Sequence, residues 1–203
     1  MFVKVCGLRT EDDVQTAVSA GADAIGFVFT RSPRQVDAAT ARALVALVPA
    51  EVLSVGVFLG LPAAEVGRIA RDAGVDMVQL HGDYPREAFE ELAGLRLMRA
   101  TTLTEDTDVT VGAYGEEMLL LDSPVAGSGK RWDLSALSQT RPAGKWLLAG
   151  GLTPANVVAA SRAAAPWGVD VSSGVESSRG VKDPALIRAF LAAVRGPSVV
   201  AGP

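Results

Sequence analysis

The chain has 203 residues, of which 49% are hydrophobic and 21% charged, and this is typical of one folded globular domain rather than a disordered chain. Its formal net charge of −4, with cationic residues scattered singly, argues against a nucleic-acid-binding protein. No apolar run is long enough to cross a membrane and no secretory leader is visible, so we expect neither membrane association nor export.

Two scarce residue types restrict the chemistry. The single cysteine, Cys6, excludes an internal disulfide framework and fits a reducing cytoplasm. One cysteine and one histidine, His81, cannot form the usual ligand sets of a zinc site, so we expect no metal. An enzyme built on this chain would therefore take its acid–base groups from carboxylates, lysines, Cys6 or His81.

Short apolar runs along the chain predict eight β-strands. They span residues 2–6, 24–29, 52–58, 76–80, 95–100, 118–122, 146–149 and 169–172. Most of these runs are continuous rather than alternating, which is typical of parallel strands buried on both faces.

Segments with helical spacing follow most of these strands. Thr10 is predicted to begin the first helix, with Asp13 three residues later as a partner resembling a capping box. Thr153 and Asp183, each followed by proline, are predicted to begin two later helices. Other helices are predicted from apolar residues at spacings of three and four, namely Ala41, Leu44, Val45 and Val48, then Val66, Ile69, Ala70 and Ala73.

The repeated strand–helix unit predicts an α/β fold, a single (β/α)8 TIM barrel over residues 1–195, with residues 196–203 as a frayed tail. The fifth helix, in residues 101–115, is expected to be weak or short. The loop after the sixth strand, residues 123–131, is expected to be irregular, with at most a short helix at 133–138. An open doubly wound sheet also alternates, but the lack of G-x-G-x-x-G after the first strand weakens its dinucleotide-binding version.

Two glycine-containing segments follow the last two predicted strands. Active sites of TIM barrels lie at the carboxyl ends of the strands, and phosphate commonly binds after the seventh and eighth. Gly150 and Gly151 follow the seventh, and Ser173 and Gly174 follow the eighth. One glycine pair would more often form only a tight turn, but two such segments on adjacent strands favour a phosphate site.

Four reactive or charged residues near strand ends allow both a functional and a structural interpretation. Cys6 ends the first strand and is either a buried space-filling residue or a thiolate base, helped by Lys4 nearby or by the N-terminus of the following helix. Asp122 ends the sixth strand and either transfers protons or only binds the following loop. Arg34 either binds a carboxylate or is a surface charge, and His81 is either part of a site or structural.

A series of short motifs occurs in a fixed order between residues 3 and 190. They are Lys4-Val5-Cys6-Gly7, Ser32-Pro33-Arg34, Val55-Gly56-Val57-Phe58, Gln79-Leu80-His81-Gly82, Leu121-Asp122-Ser123, Gly127-Ser128-Gly129-Lys130, Leu148-Ala149-Gly150-Gly151-Leu152, Asn156-Val157, Ser172-Ser173-Gly174-Val175-Glu176 and Gly180-Val181-Lys182-Asp183. Any one of them is weak, but the set in this order is specific. The chain resembles the phosphoribosylanthranilate isomerase family.

The resemblance implies a cofactor-independent Amadori rearrangement of N-(5-phosphoribosyl)anthranilate in tryptophan synthesis. It implies that Asp122 is the general acid for the ribose ring oxygen and Cys6 the general base for the C2′ proton. Arg34 is expected to bind the anthranilate carboxylate, while His81 belongs to a motif near the site and has no assigned proton transfer. The phosphate is expected to be held by Gly150, Gly151, Ser173 and Gly174. The partner is then a phosphorylated small molecule, and the enzyme a monomer or homodimer.

Two positions depart from the family pattern. Arg9 stands where threonine is common, and Leu134 where tryptophan is expected, which affects loop details rather than the reaction. Two other functions are alternatives. One is that of the related histidine-pathway isomerase, but that family has an aspartate in place of Cys6 and needs a second phosphate cradle. The other is a non-catalytic phosphate-binding barrel, which would need neither Cys6 nor Asp122.

Overall fold

Parallel strands form the centre of the computed structural model, which describes residues 1–104, 106–122, 137 and 141–196. The strands are β1 (Phe2–Cys6), β2 (Ala24–Val28), β3 (Leu53–Phe58), β4 (Met77–His81), β5 (Arg96–Thr102), β6 (Met118–Asp122), β7 (Trp146–Leu148) and β8 (Gly168–Val171). Each pairs with the next along the chain, and β8 pairs with β1 to close the barrel. The predicted (β/α)8 barrel is confirmed, and the open doubly wound sheet is excluded.

Helices pack around the outside of the barrel. They are α1 (Glu11–Ser19), α2 (Ala38–Val45), α3 (Ala63–Ala73), α4 (Arg86–Glu91), α5 (Val157–Ala164) and α6 (Pro184–Arg195). The predicted caps form at Thr10, whose hydroxyl accepts the Asp13 N–H at 3.1 Å, and at Asp183. The helix predicted to open at Thr153 instead begins after Asn156, because the Asn156 side chain accepts the Thr153 N–H and holds a turn there.

Alternation along the strands sorts their side chains into two layers. One apolar cluster contains strand and helix residues and lies between the barrel and its helices. The other draws its fully buried members from the barrel strands and their ends and fills the barrel interior. Because Met118 and Leu120 belong to the interior cluster, Asp122, two residues further on, faces inward as well. Lys4 and Cys6 share the inner face of β1, since Val3 and Val5 lie in the outer layer.

The weak or short fifth helix expected in residues 101–115 is not formed by the described residues of that segment. The chain continues β5 to Thr102 and then makes a series of turns. The Thr107 hydroxyl donates to the Thr102 carbonyl and accepts the Thr104 N–H at 2.8 Å. Threonine hydroxyls that bind nearby backbone groups compete with helical hydrogen bonds, and this explains the difference.

A buried ion pair holds these turns against the barrel. The Arg99 guanidinium donates from Nε to Glu116 at 2.8 Å and from its Nη atoms to the carbonyls of Asp108 and Thr110 at 3.0 Å. Tyr114 stacks on the same guanidinium, with 4.8 Å from its ring centre to Cζ. The Glu116 side chain is fully buried. Arg99 therefore satisfies backbone groups that a helix would have satisfied internally.

Replacing Arg99 by alanine is expected to lower the free energy of unfolding by about 3–5 kcal/mol, because it leaves the Glu116 carboxylate buried without its counter-ion. Arg96→Ala is the matched control, since its pair with Glu117 is 42% and 40% exposed and should contribute about 0–1 kcal/mol. Urea denaturation of both variants measures the difference. Equal, small losses would show that the buried pair does not hold the turns.

A small hairpin after β8 was not predicted. It comprises β9 (Glu176–Ser178) and β10 (Val181–Lys182), which pair antiparallel outside the barrel. The short helix predicted at 133–138 lies outside the described residues except at position 137, and the irregular loop 123–131, Leu134 and the tail from 197 lie wholly outside them. No helix in the described part of the chain is long and apolar enough to cross a membrane.

Candidate active site

A cavity of about 180 Å³ opens at the carboxyl ends of the barrel strands. It is lined by Arg34, Asp122, Ala149, Gly150, Gly151, Leu152, Asp170, Ser172, Ser173 and Gly174. The structure thus gathers six of the eight residues predicted for the site: Arg34, Asp122, Gly150, Gly151, Ser173 and Gly174. Over the described residues, the lining does not include the other two, Cys6 and His81.

The two glycine loops of the cavity lie in direct contact. A Cβ atom on Gly174 would lie 1.7 Å from the carbonyl oxygen of Leu152, so the loops after β7 and β8 can pack this closely only around a glycine. Gly151 has a positive φ of 65°. A turn of 3₁₀ helix, Ser173–Val175, follows β8. This part of the cavity offers backbone surface without bulky side chains, which suits a phosphate group.

Cys6 ends β1 on the inner face of the barrel and is 7% exposed. It pairs in register with Gly26 of β2. A Cβ atom at Gly26 would stand 2.9 Å from the Cys6 sulfur and 3.3 Å from Lys4 Nζ, so the missing side chain makes room for both groups. The thiol and the Lys4 ammonium therefore lie close together on the inner face of β1, beside Gly26.

Lys4 is fully buried and forms an ion pair with Asp170, with 2.7 Å between Nζ and Oδ1. Burial raises the pKa of the Cys6 thiol, whereas the nearby ammonium groups of Lys4 and Lys182 act to lower it. Asp170 also raises the pKa of the Cys6 thiol through its negative charge. The charged Lys4 ammonium thus favours the thiolate form of Cys6 against the effect of burial, and Asp170 favours the charged form of Lys4 against its own burial.

Arg34 reaches the cavity from the loop after β2 while bound to the β9–β10 hairpin. Its Nε donates to Glu176 Oε1 at 2.6 Å and its Nη2 donates to Oε2 at 2.8 Å. Burial acts to raise the pKa of Glu176, but hydrogen bonds from Arg34, the Gly180 N–H and Lys182 outweigh it and lower the pKa to about 2. Glu176 is therefore ionised at any working pH.

His81 ends β4 on the same inner face as Met77 and Gln79 and is partly exposed. Gln79 is buried, and within the described part of the chain its Oε1 has no hydrogen-bond donor. The Gly82 N–H donates to the Ala100 carbonyl at 2.9 Å, which fixes the backbone after His81. His81 thus stands at the mouth of the barrel.

Known proteins match this chain over nearly its whole length. The chain matches a family model described as N-(5′-phosphoribosyl)anthranilate isomerase over residues 3–193. It is 43% identical over 193 residues to the N-(5′-phosphoribosyl)anthranilate isomerase of Streptococcus pneumoniae (strain Taiwan19F-14), with 95% of each chain covered.

The chain belongs to the phosphoribosylanthranilate isomerase family.

Solved structures of the family have the same barrel. TrpF from Jonesia denitrificans is 49% identical, with a TM-score of 0.91 and 98% of each chain covered. The phosphoribosylanthranilate isomerase of Thermotoga maritima is 34% identical, with a TM-score of 0.88 over 97% of this chain and 99% of that one. A structure of a family member in complex with reduced 1-(o-carboxyphenylamino)-1-deoxyribulose 5-phosphate is 32% identical, with a TM-score of 0.85 over 97% and 99%.

Sequence reasoning named Lys4 as a group that could help the Cys6 thiolate, but it assigned no role to Asp170, Glu176 or Lys182, which lie around this family member's cavity or bind its lining residues. Lys4 stands two residues before Cys6 in an apolar strand and so shares its face, but nothing in the sequence indicated its ion pair with Asp170. No local pattern marks the Arg34–Glu176 contact, since 142 positions separate the two residues.

The departure from the family pattern at Arg9 has a structural explanation. Its Nη2 donates to the carbonyl oxygen of Gly180 at 2.8 Å, so Arg9 ties the loop after β1 to the tip of the β9–β10 hairpin. A threonine is too short to make this contact. The larger side chain therefore adds a second link, beside Arg34, between the loops and the hairpin.

Proposed function

We propose that this chain converts N-(5′-phosphoribosyl)anthranilate into 1-(o-carboxyphenylamino)-1-deoxyribulose 5-phosphate, an Amadori rearrangement in tryptophan biosynthesis. The observation that carries the proposal is the cavity that joins Arg34, Asp122 and the glycine loops after β7 and β8. Its features correspond to the three parts of the substrate: a carboxylate, a sugar that reacts by proton transfer, and a phosphate.

The two anionic ends of the substrate are expected to bind at separate parts of the cavity. The phosphate binds the loops formed by Gly150, Gly151, Ser173 and Gly174, where backbone groups approach without steric hindrance. The anthranilate carboxylate binds the guanidinium of Arg34 through paired hydrogen bonds. The sugar then lies between them, next to Asp122. We assign no proton transfer to His81.

The rearrangement needs one acid and one base and no redox step. Asp122 donates a proton to the ribose ring oxygen, and the ring opens to a Schiff base. The Cys6 thiolate then removes the C2′ proton, giving an enolamine that tautomerises to the ketone product. Lys4 supports this step because its ammonium opposes the burial that disfavours the thiolate. The reaction as written needs no metal and no cofactor.

The purified protein is expected to consume freshly generated phosphoribosylanthranilate in the presence of a chelator and without added cofactor, seen as loss of substrate fluorescence. The aminoimidazole substrate of the histidine pathway is the control and should turn over little. Comparable rates on both substrates would contradict the assignment in favour of the histidine-pathway isomerase. Tight ligand binding by folded protein without any turnover would favour a non-catalytic barrel.

We place this enzyme in the cytoplasm, where a reduced thiol such as Cys6 persists. A monomer or a homodimer fits the proposal equally, since every residue assigned a role comes from one chain. A solved structure of monomers generated from the dimeric family member of Thermotoga maritima is 32% identical to this chain. Sedimentation of the purified protein distinguishes the two states.

A further inference from the structure

We propose that Glu176 is a positioning residue that fixes the Arg34 guanidinium and thereby makes the site selective for a substrate carrying a carboxylate. The proposal rests on the function proposed above and adds the device that orients its carboxylate-binding group. Glu176 itself does not line the cavity in the described part of the chain, so it acts through Arg34.

The contact between the two residues uses one edge of the guanidinium. Glu176 accepts hydrogen bonds from Nε at 2.6 Å and Nη2 at 2.8 Å, which is the bidentate arrangement that fixes a planar guanidinium against rotation. The donors that remain are those of Nη1 and the second hydrogen of Nη2. Because Arg34 lines the cavity, a substrate carboxylate is expected to bind this end-on edge.

Glu176 is itself held in place by its surroundings. Its side chain is 4% exposed, its Oε1 accepts from Lys182 Nζ at 2.9 Å, and its Oε2 accepts the Gly180 N–H at 3.0 Å. Lys182 also donates to the Ser172 carbonyl at 2.9 Å, just before the phosphate loop. One buried network thus connects the carboxylate-binding end of the cavity to its phosphate-binding end.

Charge alone predicts the opposite effect from positioning, and this separates the two explanations. Arg34 and Lys182 carry two positive charges and Glu176 one negative charge, so removing the carboxylate raises the local positive charge. Simple attraction would then bind an anionic substrate more tightly in Glu176→Gln. If orientation dominates, the released guanidinium binds the carboxylate more weakly, and this is the expected result.

The test compares two ligands by calorimetry: reduced 1-(o-carboxyphenylamino)-1-deoxyribulose 5-phosphate and the matching phenylamino compound without the carboxylate. Glu176→Gln should lower the affinity for the first ligand about ten- to a hundredfold. It should change the affinity for the second ligand by less than about twofold. In turnover, KM should rise more than kcat falls, because the carboxylate contact is present in both ground and transition states. In an Arg34→Ala background, Glu176→Gln should have no further effect.

Glu117→Gln is the matched control, since Glu117 makes the same two-atom contact with Arg96 Nε and Nη2 before β6, at the opposite end of the barrel. Glu117→Gln should leave the affinity for both ligands unchanged. Glu176→Asp keeps the negative charge for Lys182 but shortens the reach to Arg34, and should give a smaller loss with the same selectivity. If Glu176→Gln does not fold, Glu176→Asp provides the test in its place.

Three outcomes would overturn the inference. Unchanged or tighter binding of the carboxylate ligand by Glu176→Gln would mean that charge, not orientation, governs the site. Equal weakening of both ligands would mean that Glu176 only supports the fold. A wild-type protein that does not prefer the carboxylate ligand would defeat the carboxylate-binding role of Arg34 and this inference together, and it is recognised before any variant is made. The proposed function itself is tested separately, by turnover of phosphoribosylanthranilate by the wild type.

Discussion

Cys6→Ala is expected to lower kcat by about 10²- to 10⁴-fold, the contribution typical of one general base. The physical reason is that the residue ends β1 beside the buried Lys4 ammonium, which opposes the effect of burial on the thiol and so favours the thiolate. Steady-state turnover of phosphoribosylanthranilate measures the effect. Full activity in the variant would return Cys6 to the role of a space-filling core residue.

Cys6→Ser is the matched control for shape. Its hydroxyl occupies nearly the volume of the thiol but ionises far less readily, so it should be almost as slow as Cys6→Ala. Both variants should keep the affinity of the wild type for the reduced product analogue within a few fold, because Cys6 does not line the cavity in the described residues. A large loss of affinity in both would point to a collapsed site rather than a missing base.

Asp122→Asn should also lower kcat by about 10²- to 10⁴-fold, since an amide cannot donate a proton to the ribose oxygen as it departs. Asp122 closes β6 on the inner face of the barrel and lines the cavity, with its Oδ1 buried. Asparagine keeps the size of the side chain, so ligand affinity should change little. Wild-type kcat in this variant would leave Asp122 with a role in binding the following loop.

The pH dependence of Asp122→Asn adds a second, independent measurement. In wild type the active form needs both the Cys6 thiolate and a protonated Asp122 carboxyl. Raising the pH forms more of the thiolate but removes the proton that Asp122 must donate. In the variant the acid of the pair is gone, so the pair's pH dependence comes from Cys6, whose pKa is raised by burial. Residual kcat/KM should therefore rise with pH into the alkaline range, more steeply than in wild type. A flat profile would show that Cys6 is not the base.

Much of this protein follows from its sequence because the determining patterns are local. Continuous apolar runs define the strands of a sheet buried on both faces, and caps such as Thr10 and Asp183 define helix starts. Strand ends then indicate where Asp122, Gly151 and Gly174 should meet, since parallel strands bring their carboxyl ends to one face. The motif order was sufficient for the family.

Other features could be seen only in the tertiary structure, because they depend on contacts between residues far apart in the sequence. The Arg34–Glu176 and Lys4–Asp170 pairs join positions that are 142 and 166 residues apart, and no local pattern encodes them. The fifth helix was misjudged because Arg99, lying in β5, supplies hydrogen bonds to carbonyls of the next segment. Backbone groups in this chain can be satisfied either by a helix or by a buried side chain from elsewhere, and only the packed barrel determines which.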